Sequence, residues 1–266
     1  MRCNTLKVGF IGLGDQGGPM AEALAETHEL YVWARRPKML AGFANKGARL
    51  METAQAVARS VEVLCLCLPG DAELHDLVFD GGLADALPHG ATVINHATGD
   101  PDTAALTAER LTAKGLRYLD APVGGGRPSA ASRSLTCFVG GDADTLCFCT
   151  PVIARHSSNI RLMGGPGAGQ MTKLLNNALT VSNLRNLVEV FCLAARAGVN
   201  LLSLQAALAT SSGGSFFTQL VCSFSGWADS KSQQGNFRGV CRRPKPRMAK
   251  WHAAAETTKQ TQFQEI

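Results

Sequence analysis

Among its nine cysteines the chain has no C-x-x-C and no cysteine–histidine spacing of the metal-binding kind, so no metal site is expected. Cys65 and Cys67, like Cys147 and Cys149, stand two apart. The first pair lies in an apolar run, where cysteine serves as a small buried hydrophobe in a reducing compartment. Charge is scarce too: 18% of residues are charged against 45% hydrophobic, the composition of an ordinary soluble protein. No apolar run reaches the roughly 18–20 residues of a membrane helix. A strand-like run begins at Lys7, which leaves no room ahead of it for a signal or transit peptide, and a cytoplasmic location is expected. With 266 residues the chain can bury a real core in one large or two modest domains.

The net charge of +5 is uneven: residues 216–266 hold eight Lys/Arg and three acids, so the remainder is neutral. Such a basic tail suits nucleic acid, an acidic surface, or simply a solvated end.

The stretch with most to say is Lys7-Val8-Gly9-Phe10-Ile11-Gly12-Leu13-Gly14-Asp15-Gln16-Gly17. Strand-forming residues break into G-x-G-x-x-G, and a helical pattern follows over 18–27. Strand, glycine turn and helix together place a pyrophosphate on a helix N-terminus. Gly12 permits the tight turn, Gly14 leaves the phosphates room, and Gly17 lets helix and strand pack. The second strand, 30–34, ends in Arg35-Arg36-Pro37. An acid here would bind the ribose 2′-hydroxyl of NAD. None is present, and two guanidinium groups suit a 2′-phosphate, so NADP is favoured, with NAD possible if Arg35 only stacks on the adenine.

Further along, 47–50 and 53–59 read as a short strand and a helix, and 61–68 as a buried strand of a parallel sheet. That strand stops at Pro69-Gly70-Asp71, where ligands bind in such sheets. Strands follow at 91–95 and 116–120, with a helix over 103–114 between them. His96, the one histidine at a strand-end loop, admits a catalytic role as a lesser reading. A second glycine cluster, Gly124-Gly125-Gly126, precedes a strand over 135–141. A third, 164–169, leads into a helix over 170–197, uninterrupted by proline and stopped by Gly198. At 1.5 Å per residue that helix spans ~40 Å, enough to bridge two domains. Lys173 and Asn177 share one of its faces, and the usual acidic partner for a surface lysine is missing there.

Four blocks resemble, in order, the β-hydroxyacid dehydrogenase family: GFIGLGDQGGPMAEAL its cofactor fingerprint, VINHATGDP its V-I-D-x-S-T loop, DAPVGGG with SLTCFVGG its D-A-P-V-S-G-G segment, and GGPGAGQMTKLLNN its G-x-G-x-x-x-K-x-x-N-N signature. They span about residues 6–215. The resemblance implies that Lys173 is the catalytic lysine, giving a proton to the carbonyl oxygen as hydride arrives. It implies that Asn177 orients a small carboxylate substrate, a 3-hydroxy acid or its semialdehyde, and that Val123, Gly124, Gly125 and Gly126 cradle the carboxylate with backbone N–H groups. Gly12, Leu13, Gly14, Asp15, Gln16, Gly17, Arg35 and Arg36 would hold the cofactor, and Leu68, Pro69 and Thr98 would line its nicotinamide side. Imine reductases, which lack the lysine, and 6-phosphogluconate dehydrogenases, with a histidine where Asn176 stands, fit less well.

The departures are specific. Gly124 replaces the family's serine, Asn95 and Ala97 its Asp and first Ser, Gln16 a methionine, and Arg133 a glycine. Beyond Phe216 the family's Lys-Asp pair is not found, and 224–266 lacks helical periodicity until about Met248, a composition that cannot offset its ordering entropy. A shifted reading frame or altered exon would explain it.

The expected fold is therefore α/β. A Rossmann-type doubly wound parallel sheet (1–165) is followed by a long interdomain helix and a partial all-helical domain (166–215). A poorly ordered basic tail (216–266) closes the chain. The expected activity is hydride transfer, in a homo-oligomer if the helical domain is complete. The alternatives are a catalytically silent NADP-binding relative and, less favoured, a nucleic-acid-binding platform.

Overall fold

The computed structural model describes residues 5–218; the tail read as atypical falls almost entirely outside them. The first element is β1 (Lys7–Ile11), followed by α1 (Gly17–Ala25), β2 (Glu29–Trp33), β3 (Arg49–Leu50), α2 (Ala54–Arg59), β4 (Val63–Leu66) and α3 (Asp71–His75). A π-helical turn over Asp76–Asp80 leads to α4 (Leu83–Ala86), β5 (Thr92–Asn95), α5 (Pro101–Ala113), β6 (Arg117–Asp120) and β7 (Val123–Gly124). Then come α6 (Gly126–Ala131), β8 (Leu135–Gly141), α7 (Ala143–Ile153), β9 (Ser157–Gly164), α8 (Ala168–Arg196) and α9 (Leu201–Thr210).

The nine strands form one sheet in the order β3-β2-β1-β4-β5-β6-β8-β7, with β9 also on β8. Strands β1 to β6 run parallel. The expected all-parallel sheet needs one amendment, because β8 is antiparallel to β6 and β7 and parallel to β9. Side chains alternate across the sheet as a period of two demands. Val8, Phe10, Val63, Cys65 and Ile94 face one apolar layer with Met20 and Leu24 of α1 and Val152 of α7. Leu64, Leu66, Val93 and Tyr118 face the other with Val57 of α2 and Leu111 of α5. Helices thus cover both faces, which is why β4 and β5 are buried along their whole length.

Local chemistry sets the helix starts. Asp100 accepts the Thr103 N–H at 2.9 Å with Pro101 at the first helical position, and Asp142 accepts that of Thr145 at 2.8 Å. Arg133 is the one non-glycine among the described residues with positive φ, +58°. That conformation explains the glycine at the corresponding place in the family pattern. Its guanidinium grips Glu26 beside α1 with two nitrogens.

The chain divides into two compact units, 1–175 and 176–266, with the division inside α8. Helix α8 holds no uninterrupted apolar run of roughly 18–20 residues, as expected from the sequence. Its 29 residues are long and apolar enough by length and composition to cross a membrane, although only 11% of the apolar window is buried. Lys173, Arg185 and Glu189 interrupt the run, which is why no continuous stretch stands out in the sequence.

His96 does not face the ligand edge. It is 2% exposed, stacked on Phe10 and edge-on to His156 at 5.0 Å between centroids. Its Nδ1 lies 2.9 Å from the Ala121 carbonyl, so that nitrogen carries the proton. Burial pulls its pKa down to about 4, against the opposing effect of the Ala121 bond, and the catalytic reading of His96 falls. The unfolded chain, with an ordinary histidine, binds more protons between pH ~6.5 and 4. The contribution of neutral His96 to stability is therefore complete above pH ~6.5 and is lost as pH falls toward 4. In urea unfolding, His96→Gln should flatten the fall in stability between these pH values by up to ~1.4 kcal/mol per pH unit relative to wild type. An unchanged slope would mean that the buried ring accepts a proton without cost.

Candidate active site

The carboxyl ends of the central strands share one edge. The Cys67 N–H donates to Ile11, that of His96 to Leu66 and that of Ala121 to Asn95, at 2.8–2.9 Å. The turns after β1, β4, β5 and β6 therefore lie side by side, in the crevice where open α/β sheets take ligands.

In the first turn the three glycines do different work. Gly12 has φ +103°, and a Cβ there would stand 2.2 Å from the Cys67 carbonyl oxygen. A Cβ on Gly17 would stand 1.9 Å from the Gly12 oxygen, whereas one on Gly14 would meet nothing within 4 Å. Gly12 and Gly17 thus permit the backbone's close approach, and Gly14 leaves clear space in front of the turn. The N-terminus of α1 begins at Gln16 with no side-chain cap and no acid in its first turn. Gly18 donates its N–H to Gly14 at 2.8 Å and Pro19 has none, so an anion would take the N–H groups ahead of them, in the turn and at Gly17, and these residues fit a dinucleotide pyrophosphate. The Leu13 side chain belongs to the core at 4% exposure, so only its backbone faces that space. Asp15 is exposed and stands 3.6 Å from Arg127. Arg35 and Arg36 follow β2, both exposed, and among the described residues neither has an ion pair. Leu68 is half-buried and Pro69 exposed after β4, and Thr98 is half-buried after β5.

The end of β6, the third glycine cluster and the start of α8 meet at Asp120. This carboxylate is wholly buried and accepts the N–H groups of Gly167 and Gln170, each at 2.8 Å. Burial raises its pKa, while those N–H bonds pull the other way. A Cβ on Gly140 would lie 2.3 Å from the carboxylate, and one on Gly169 would lie 2.6 Å from the Asp120 carbonyl oxygen. Sequence reading passed over both Asp120, taken as a strand end, and Gln170, taken as a helix start. The sole signal was their place inside the two glycine-bearing blocks.

Val123 and Gly124 form β7 against Cys137 and Thr136, with the Val123 side chain buried. Gly125 and Gly126 lie past the ladder with φ +116° and +67°, conformations that need glycine. Gly124 is different: a Cβ would meet Phe138 at 3.5 Å, an ordinary contact. The backbone would accept a serine there, so its absence is a choice of chemistry and not of fold. Lys173 lies one turn into α8, half-buried, and desolvation lowers its pKa below that of a free lysine. Among the described residues it has no hydrogen bond or ion pair. Asn177 lies one turn further along α8 in the second unit.

Residues 7–165 match the family model described as the NAD binding domain of 6-phosphogluconate dehydrogenase. Residues 167–231 match that described as NAD-binding of NADP-dependent 3-hydroxyisobutyrate dehydrogenase. The chain is 34% identical over 215 residues to 3-hydroxyisobutyrate dehydrogenase of Pseudomonas aeruginosa, covering 80% of this chain and 72% of that protein. The chain belongs to the β-hydroxyacid dehydrogenase family. Another relative in the family, 2-hydroxy-3-oxopropionate reductase of Escherichia coli, is 31% identical over 76% of this chain and 70% of its own. The solved 3-hydroxyisobutyrate dehydrogenase of Mycobacterium tuberculosis with L-serine superposes with a TM-score of 0.75 at 27% identity, covering 80% of this chain and 72% of that one. As in its family, the nucleotide-binding domain of this chain is an NAD(P) domain, and the second family model reaches past Phe216 to residue 231.

The unequal roles of the glycines lead to a paired experiment. Gly14→Val should leave the melting midpoint of the free protein unchanged while abolishing its rise with NADPH. Gly17→Val should cost about 2–3 kcal/mol or more of stability by overpacking. Equal melting of the two variants, or an intact NADPH response in Gly14→Val, would refute this division.

Proposed function

We propose that this member of the family transfers a hydride between NADP(H) and a small 3-hydroxy acid or its semialdehyde. The observation that carries the reading is Lys173: a half-buried lysine without a carboxylate partner among the described residues, on a helix whose start is bound to the end of β6 by Asp120. The names of the two relatives, a hydroxyisobutyrate dehydrogenase and an oxopropionate reductase, support the substrate class. The nicotinamide, when bound, supplies or takes the hydride.

The chain's own residues do the rest. Backbone N–H groups at 12–17 and the α1 N-terminus hold the pyrophosphate. Arg35 and Arg36 grip the 2′-phosphate by charge and paired hydrogen bonds, and Leu68, Pro69 and Thr98 shield the nicotinamide side from water. The N–H groups of the 123–126 segment hold the substrate carboxylate, Gly125 and Gly126 foremost because they lie outside the strand ladder. Asn177 orients the substrate. Lys173 donates its proton to the carbonyl oxygen as charge develops there, and a pKa lowered by burial makes that donation easier. A cytoplasmic location and a homo-oligomer that covers exposed Leu175, Leu179 and Leu193 of α8 complete the reading. A catalytically silent NADP-binding relative is the second reading, favoured by the missing Lys-Asp pair beyond Phe216.

Two variants test it. Lys173→Ala should lower kcat for semialdehyde reduction by a factor on the order of 10² or more and leave the NADPH-induced rise in melting temperature intact. That rise corresponds to ~2.7 kcal/mol at about 100 times Kd. Turnover that survives the substitution would remove Lys173 from the chemistry, and NADPH binding with no turnover of any aldehyde by wild type would leave the silent relative standing. Arg35→Asp should move preference from NADPH toward NADH; an unchanged ratio would remove the 2′-phosphate assignment.

A further inference from the structure

We infer that Gln170 is a positioning residue that holds the Thr98 loop in register with the turn of α8 bearing Lys173. The inference rests on the proposed reading, in which Thr98 faces the nicotinamide and Lys173 gives the proton. Gln170 is wholly buried, and every polar group it offers at this junction is engaged. Its side-chain oxygen accepts the Gly99 N–H at 2.8 Å, and its side-chain nitrogen donates to the Ala97 carbonyl at 2.8 Å. Its backbone N–H donates to Asp120. The carboxamide therefore reads the backbone on both sides of Thr98, with an acceptor oxygen and a donor nitrogen on the two ends of one planar amide.

Two other groups fix the same loop, one from the end of β5 and one from the start of α3. The Asn95 carboxamide oxygen accepts the Ala97 N–H at 3.0 Å, and Asp71 accepts that of Asp100 at 2.8 Å. Neither connects the loop to α8; Gln170 does. Lys173 lies three residues further along, a rise of about 4.5 Å. Hydride and proton reach the two ends of one carbonyl bond, so the loop and the helix turn must agree in position. A misplacement of about 1 Å in such a geometry costs roughly 10²-fold in rate. Gln170 is sealed from substrate and cofactor, so it acts through the loop and the turn it joins.

The test uses the whole protein and two ligands: NADPH, and 2′,5′-ADP, which has the phosphate end and no nicotinamide. NADH and ADP serve as the parallel pair. Calorimetry should show Gln170→Met binding NADPH about tenfold more weakly, with 2′,5′-ADP changed less than about twofold. Turnover should follow, with kcat down at least about tenfold and the KM for aldehyde within about threefold. Gln170→Glu keeps the acceptor for Gly99 but sets a carboxylate against the Ala97 carbonyl. It should reproduce the split between the two ligands, and it serves if the Met variant does not fold. Equal weakening of both ligands would make Gln170 a general support of the fold, and no weakening of either would remove its role; both overturn the inference. A wild-type protein that holds NADPH no more tightly than 2′,5′-ADP overturns it as well. Wild-type binding with the expected split but without turnover would uphold the positioning and count against the proposed reaction alone.

Discussion

A buried carboxylate holds the two halves of the site together. Asp120 ends a central strand, and removing its charge from water costs several kcal/mol unless hydrogen bonds make up the loss. The N–H groups at the start of α8 supply those bonds, and the positive end of the helix dipole lies on the same side. The arrangement demands that nothing else occupy the space, which is why Gly140 and Gly169 carry no side chain against it. Strand, antiparallel neighbour and long helix are thereby fixed to one point, and the turn with Lys173 takes its place from that point.

Glycine is used in this molecule in two senses that sequence does not separate. At 12, 17, 125 and 140 a side chain would collide with backbone or a buried acid, or the backbone is left-handed. At 14 and 124 there is room. In the first group the glycine protects the fold; in the second it leaves ligand space open. The distinction matters most at Gly124, where the serine common in the family would fit against Phe138 and its absence alters what the substrate meets.

Much of this was legible beforehand. β8 was read with its observed limits, 135–141, because an apolar run ended in two glycines. The first strand, the glycine turn and the long helix were clear for similar reasons of composition. The reversal of β8 was not, since direction in a sheet leaves no mark on a strand's own residues. Helices α3 and α4 are five and four residues long, too short to show a period, and α7 carries Pro151 in its last turn. β9 is polar and mostly exposed; pairing with β8 makes it a strand. At the site, the residues that touch ligand in the proposed reading stood out by motif. Asp120 and Gln170, which hold those residues in place, did not, because buried hydrogen bonding depends on partners 47 to 73 positions away.

The contacts between the nucleotide turn and the substrate segment at the surface are of a different physical kind. Asp15 with Arg127, and Glu26 with Arg133 and Arg155, join α1 and its leading turn to α6 and the region around β8. All but the half-buried Arg155 are exposed to water, where ions at about 1 M screen charges beyond roughly 3 Å. Concentrated salt would dissolve these ties first and spare the buried clamp at Asp120. The outer rim of the crevice is therefore set by the solvent as much as by the chain, and its stiffness belongs to the ionic medium in which the protein works.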